Sequence, residues 1–174
     1  MLQRRGGAVK AGGVEFFPDR DTLHRAYGSI GARFSRVSSV DAIWVVGLVY
    51  FLSGERTGVV KRLLLPDPEG TALRHVMETA NVAETIKNIK DVTAAARKGG
   101  TKVKWYDNFL YHSIILADLD KPSGWIHVES VFPYSKSMKR PSWTLSKRQS
   151  EEAVMEMRRI FDEIWHAAKE PPLS

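Results

Sequence analysis

Apolar residues fall into short near-continuous runs and longer runs at helical spacing. Ala42-Ile-Trp-Val-Val-Gly-Leu-Val and Val59-Val-Lys-Arg-Leu-Leu-Leu65 are of the first kind, the pattern of strands covered on both faces. Shorter strands are predicted at residues 14–17, 102–106 and 143–145, and a pair of them at 111–118 and 125–131. The second kind predicts helices. One runs from about residue 20, where Asp19 and Asp21 offer carboxylate caps and Leu23, Tyr27, Ile30 and Phe34 share a face. Another covers residues 69–98 with a break near Asn81, ended by Gly99-Gly100, and a last one covers 150–168. In that last helix Val154, Met157, Phe161, Ile164 and Trp165 form the apolar stripe.

Strands and helices alternate early, which implies parallel pairing, and the later strand pair adds antiparallel neighbours to the same sheet. The fold class expected is α/β, a mixed β-sheet sandwiched by helices. Residues 1–13, rich in glycine and basic residues and lacking periodicity, read as a flexible N-terminal tail. Residues 14–170 read as one domain and 171–174 as a C-terminal tail, with Trp44 and Trp165 in the core.

Composition narrows the function classes. Cysteine is absent, which removes disulfides, thiol nucleophiles and thiolate metal sites and suits a cytoplasmic location. No apolar run reaches the roughly 18–20 residues of a membrane span, and the basic N-terminus lacks the apolar stretch of a secretory signal. A net charge of +6 favours polyanionic partners or simple solubility. Phosphate-loop, dinucleotide and serine-hydrolase motifs are all missing. His24, His75 and His166 lie on helices without partners at ligand spacing.

Candidate chemistry concentrates in the strand pair. Tyr111-His-Ser-Ile-Ile-Leu-Ala-Asp118 precedes a turn with Pro122 and Gly124, and then Trp125-Ile-His-Val-Glu129. Alternation puts Trp125, His127 and Glu129 on one face. A hairpin would give His112 and Asp118 a common face, so that a pocket of two histidines and two carboxylates becomes available. The alternatives are a solvated polar face, a phosphate or nucleotide pocket and a metal site; His-x-Glu on one strand lacks the helical spacing of zinc motifs. No metal and no cofactor are expected. Ser113, with Tyr106 and Asn108 at the preceding strand end, would line the pocket mouth. The loop with Lys136, Lys139 and Arg140 would meet phosphates, and Trp143 would stack on a base, or else the loop is simply solvated.

Three segments in order resemble one half of a phospholipase D-like fold. They are the two apolar strands ending in Leu65-Pro-Asp-Pro68, the Tyr111–Asp118 stretch, and Phe161-Asp-Glu-Ile-Trp165 in the closing helix. The family motif is His-x-Lys, four residues, then Asp. His112 matches the histidine, Ile114 stands at the lysine position and Asp118 comes one residue early. In an intact site the histidine attacks phosphorus, the lysine neutralises phosphoryl oxygens and a second histidine protonates the leaving group. The resemblance implies a degenerate domain, non-catalytic or weakly active, that binds a phosphorylated small molecule or nucleic acid. The alternatives are a homodimeric phosphodiesterase or nuclease with His112 and Asp118 as catalytic residues and a substitute cation such as Arg62, and an interaction or sensor module.

Overall fold

The computed structural model describes residues 3–5, 8–11, 14–27, 34–44, 58–76, 82–108, 112–130 and 139–172. Its strands are β1 (Gln3–Arg5), β2 (Ala8–Ala11), β3 (Val14–Phe17), β4 (Val40–Ile43), β5 (Val60–Pro66), β6 (Lys102–Tyr106), β7 (His112–Ala117), β8 (Trp125–Ser130) and β9 (Ser142–Ser146). Its helices are α1 (Arg20–Tyr27), α2 (Thr71–Val76), α3 (Val82–Lys98) and α4 (Glu151–Ala167). Among the described residues the strands form one mixed sheet in the order β1-β2-β3-β9-β8-β7-β4-β5-β6. β4, β5 and β6 are parallel, and every other neighbouring pair is antiparallel.

The apolar runs explain the layering. Both faces of β4 and β5 are covered, so both side-chain sets are hydrophobic. Ala42, Leu63, Leu65, Val103, Trp105 and Ile115 pack with Ile89, Val92 and Ala96 of α3. On the other face Ile43, Leu64, Ile114, Leu116, Ile126 and Val128 pack with Val154 and Phe161 of α4. Each fully buried side chain of this kind is worth about 1.5–3 kcal/mol. Arg62 fastens the second layer. Its guanidinium pairs with Asp41 at 2.6 Å and with Asp162 of α4 at 2.7 Å, and lies 4.7 Å from the centre of the Phe161 ring.

Helix ends follow the local chemistry. Asp19 Oδ1 accepts the Thr22 N–H at 2.8 Å, capping α1. Asp107, remote in sequence, accepts the Ala72 N–H at 2.9 Å in the first turn of α2. Gly100 takes φ +80° after α3, a left-handed conformation that glycine adopts without steric cost.

Two sequence expectations differ from the structure. Within the expected N-terminal tail, residues 3–5 and 8–11 are paired strands. The intervening sequence pairs Gly6-Gly7 and Gly12-Gly13 have the composition of two-residue hairpin loops. The first of the expected strands, β3, joins β9 antiparallel instead of entering the parallel set. In the expected C-terminal tail, Arg97 donates to the Pro171 and Pro172 carbonyls at 2.7 and 2.9 Å. Of the strand expected from residue 42, residues 45–49 lie outside the described residues, as do Ile30, Asn81 and Lys136.

Candidate functional site

The direction of the strands selects one end of the sheet. β4, β5 and β6 finish there at Ile43, Pro66 and Tyr106. β7 runs against β4, so its first residue, His112, stands at the same end. The antiparallel succession continues, bringing the last residues of β8, the first of β9 and the last of β3 to that end. Between β4 and β7 the chain order reverses: β5 and β6 lie on one side of β4, and β7 returns on the other. Open α/β sheets bind ligands in the crevice beyond the carboxyl ends of their strands at such a switch point.

Most of the sequence-predicted site residues gather at this end. Tyr106 and Asn108 follow the course of β6, His112 and Ser113 open β7, Glu129 closes β8, and Lys139 and Arg140 lead into β9. His112, Asn108 and Lys139 are exposed. Lys136 lies outside the described residues. Trp44, expected in the core, is half-buried and packs on both apolar layers, and it holds φ +50° at the end of β4. A left-handed tryptophan is costly, by about 1–3 kcal/mol, and such strain clusters where structure serves a site.

The ladder does not bring His112 into one pocket with His127 and Glu129. His112 pairs with Ser130, while Ser113 pairs with Glu129 and Ile115 with His127. His112 therefore projects from the α4 side of the sheet, and Glu129 and His127 from the other. The register is set by the Ile114–Val128 and Leu116–Ile126 pairs, which must face the α4 core; a shift of one residue would turn that apolar set to the wrong side.

Asp118 is likewise not beside His112. It lies at the far end of β7, about 20 Å along a strand at 3.3 Å per residue. There it adopts φ +49° and its Oδ1 accepts the Ser38 N–H, the Ser38 hydroxyl and the Ser39 N–H at 3.0, 2.8 and 2.9 Å. Lys121 pairs with its other oxygen at 3.1 Å. Burial pushes this carboxyl up, but the hydrogen bonds from Ser38, Lys121 and the two N–H groups outweigh it and hold it below the usual carboxylate value. Asp118 organises the β7–β8 turn rather than a pocket with His112. Gly124 closes the same turn, since a Cβ there would stand 2.6 Å from the Asp118 carbonyl oxygen.

His127 is buried deeper in β8, its Nδ1 3.1 Å from the Thr144 hydroxyl. Ile114, at the position of the family's lysine, is 7% exposed and belongs to the α4 core. Arg62 does not replace that lysine. It sits in the row of Asp41 and Leu116, four residues along β7 from His112, and is held by two carboxylates.

The feature that sequence reasoning missed is a charged cluster around Glu129. Arg20, from the first turn of α1, grips the Glu129 carboxylate with two hydrogen bonds of 2.7 and 2.8 Å, and Arg140 approaches at 3.4 Å. Nearby in sequence and register, Arg140 Nε and the Ser142 hydroxyl are buried without hydrogen-bond partners among the described residues, as is the Tyr106 hydroxyl. Burial raises the Tyr106 phenol far above its ordinary value, so it is a neutral donor at this end of the sheet. Unpartnered buried polar groups cost about 1–3 kcal/mol each. The only cue to Arg20 in the sequence was its place at the start of a capped helix. Among the described residues no group of three or more His, Asp or Glu side chains converges as a metal site. No described helix is long and apolar enough to cross a membrane.

No family model matches the sequence, and none of the curated proteins matches it. Solved structures do match. One is Nuc from Salmonella typhimurium, a phospholipase D family member, with a TM-score of 0.54 at 11% identity, covering 92% of this chain and 97% of that one. Another is TrmBL2, an archaeal chromatin protein with a novel mode of DNA binding, with a TM-score of 0.53 at 11% identity. It is matched over 91% of this chain, which spans only 54% of TrmBL2. The architecture is thus the phospholipase D-like fold, a mixed sheet with flanking helices.

Proposed function

We propose that this phospholipase D-like domain binds a phosphorylated ligand, a nucleotide or nucleic acid, beyond the carboxyl ends of β4, β5 and β6, and turns it over slowly or not at all. The observation that carries this reading is the gathering of His112, Asn108, Lys139 and Arg140 at one end of the sheet, with Ile114 buried where the family's motif has lysine. Exposed cations supply the sequence-independent part of phosphate binding. Among the described residues Arg140 Nε and the Ser142 hydroxyl are buried donors without partners, which a ligand oxygen reaching them would satisfy. DNA binding by TrmBL2 supports the choice of nucleic acid, although this chain spans about half of that protein.

The missing ammonium argues for binding over catalysis. His112 retains an exposed imidazole that is able to attack phosphorus. Charge developing on the phosphoryl oxygens would lack its nearest partner, and losing one preorganised contact costs about 3–4 kcal/mol, roughly a hundred- to thousandfold in rate. The second reading, a homodimeric phosphodiesterase with His112 as nucleophile, draws on that exposure alone.

Incubation with an end-labelled oligonucleotide, read for both retention and strand cleavage, separates the readings. Retention without cleavage supports the binder. Cleavage lost in His112→Ala supports the phosphodiesterase, and neither activity sinks both.

A further inference from the structure

Trp143, expected to stack on a base, has an aromatic neighbour in register across β3 and β9 that the site described so far does not use. Phe16 pairs in register with Trp143. Phe16 is 42% exposed, and among the described residues only Met155 is another large hydrophobic so open to solvent. Trp143 is half-buried, its inner edge packed on the α4 core. Trp143 stands opposite Val128, and Val128 opposite Ile114. The pair thus lies on the same sheet face as His112, one row in from the sheet end. With strands about 4.8 Å apart, Trp143 is on the order of 10–15 Å from His112.

Charge decides what would cover this strip. Residues 1–13, which precede β3 in the sequence, and 131–150, which include β9, contain eight Lys and Arg and no Asp or Glu. That exceeds the +6 of the whole chain, so the rest of the molecule is net acidic. A second copy docking through this region would oppose cation to cation. A polyanion with flat apolar rings meets both demands.

Resting on the nucleic-acid reading above, we infer that Phe16 and Trp143 form a stacking platform for unpaired bases, which makes the ligand single-stranded nucleic acid. Aromatic side chains on an open sheet surface stack splayed-out bases, and the contact tolerates any sequence because every base has a π-face. A duplex keeps its bases stacked inside and offers the platform nothing. Phosphates linking the bases would run toward Lys139 and Arg140 at the start of β9.

The test compares a labelled oligothymidylate with a duplex of equal length at one salt concentration. Wild type binds the single strand more tightly. Phe16→Leu and Trp143→Leu each weaken single-strand binding by about tenfold or more and leave duplex binding unchanged, while Trp143→Phe keeps most of the affinity. At Trp143 leucine preserves the apolar contact to the α4 core, and an unaltered thermal transition checks that both variants fold. Equal affinity for single strand and duplex, or Leu variants that bind like wild type, overturns the platform and leaves phosphate binding standing. Binding of neither nucleic acid overturns both. Self-association abolished by the Leu variants assigns the strip to a second copy instead.

Discussion

His112 stands opposite Ser130 in the β7–β8 ladder, and the adjacent Ser113 stands opposite Glu129. One step along the strand therefore separates an exposed imidazole on the α4 side from an arginine-gripped carboxylate on the other. The two groups that looked like partners are parts of different surfaces.

Catalytic rate follows from the first surface. Ile114, the next residue on the face of His112, is packed in the α4 core and carries no charge. Hydrolysis of a generic phosphodiester is expected at least about a hundredfold below a complete site, since one preorganised electrostatic contact is missing. His112→Ala is expected to weaken nucleic-acid binding, because the imidazole is one of the groups gathered at the ligand end of the sheet; unchanged affinity would place His112 outside the site.

Glu129 and Arg20 form a stability element on the second surface. The carboxylate is buried, while Arg20 keeps 27% of its side-chain exposure. Among the described residues Arg20→Ala leaves Glu129 with only the longer contact to Arg140, and is expected to cost about 1–3 kcal/mol after allowance for that exposure. Arg20→Leu combined with Glu129→Met should cost less than Arg20→Leu alone, because no carboxylate is left stranded. Denaturant titration of the three variants checks this, and strict additivity would count against the pairing.

Asp118 is the group with a defined pH signature. Its folded pKa is lowered, so its contribution is present above the ordinary carboxylate pKa and is lost as pH falls through the folded value. Asp118→Asn should destabilise by about 1–3 kcal/mol at neutral pH through lost charge-assisted hydrogen bonds. The gap to wild type should close in acid. Ligand binding should not change, because the turn it holds is at the far end of the sheet. A binding defect in a folded Asp118→Asn protein would place Asp118 in the site after all.

Much of the fold was legible because its signals are local. The near-continuous apolar run at 59–65 announced β5, the run from Ala42 met β4 only at Ala42 and Ile43, the Val154–Trp165 stripe announced α4, and Asp19 capped α1 as its position suggested. The site was legible only as a set of residue types. Periodicity puts alternate residues on one face of a strand, but it does not say how two strands register, and that register parted His112 from Glu129. Arg20 and Glu129 are 109 residues apart and meet because β3 docks on β9. Asp118 was misread because its left-handed turn toward Ser38 and Ser39 is a tertiary choice with no sequence period.

Salt titration of oligonucleotide affinity bears most directly on the basic sheet end. For wild type the logarithm of the binding constant should fall linearly with the logarithm of salt concentration. Lys136→Ala and Lys139→Ala should each reduce the slope by about 0.7–0.9, with the strand recovered intact. Affinity that ignores salt, or slopes identical in wild type and both variants, would contradict a phosphate-binding surface there.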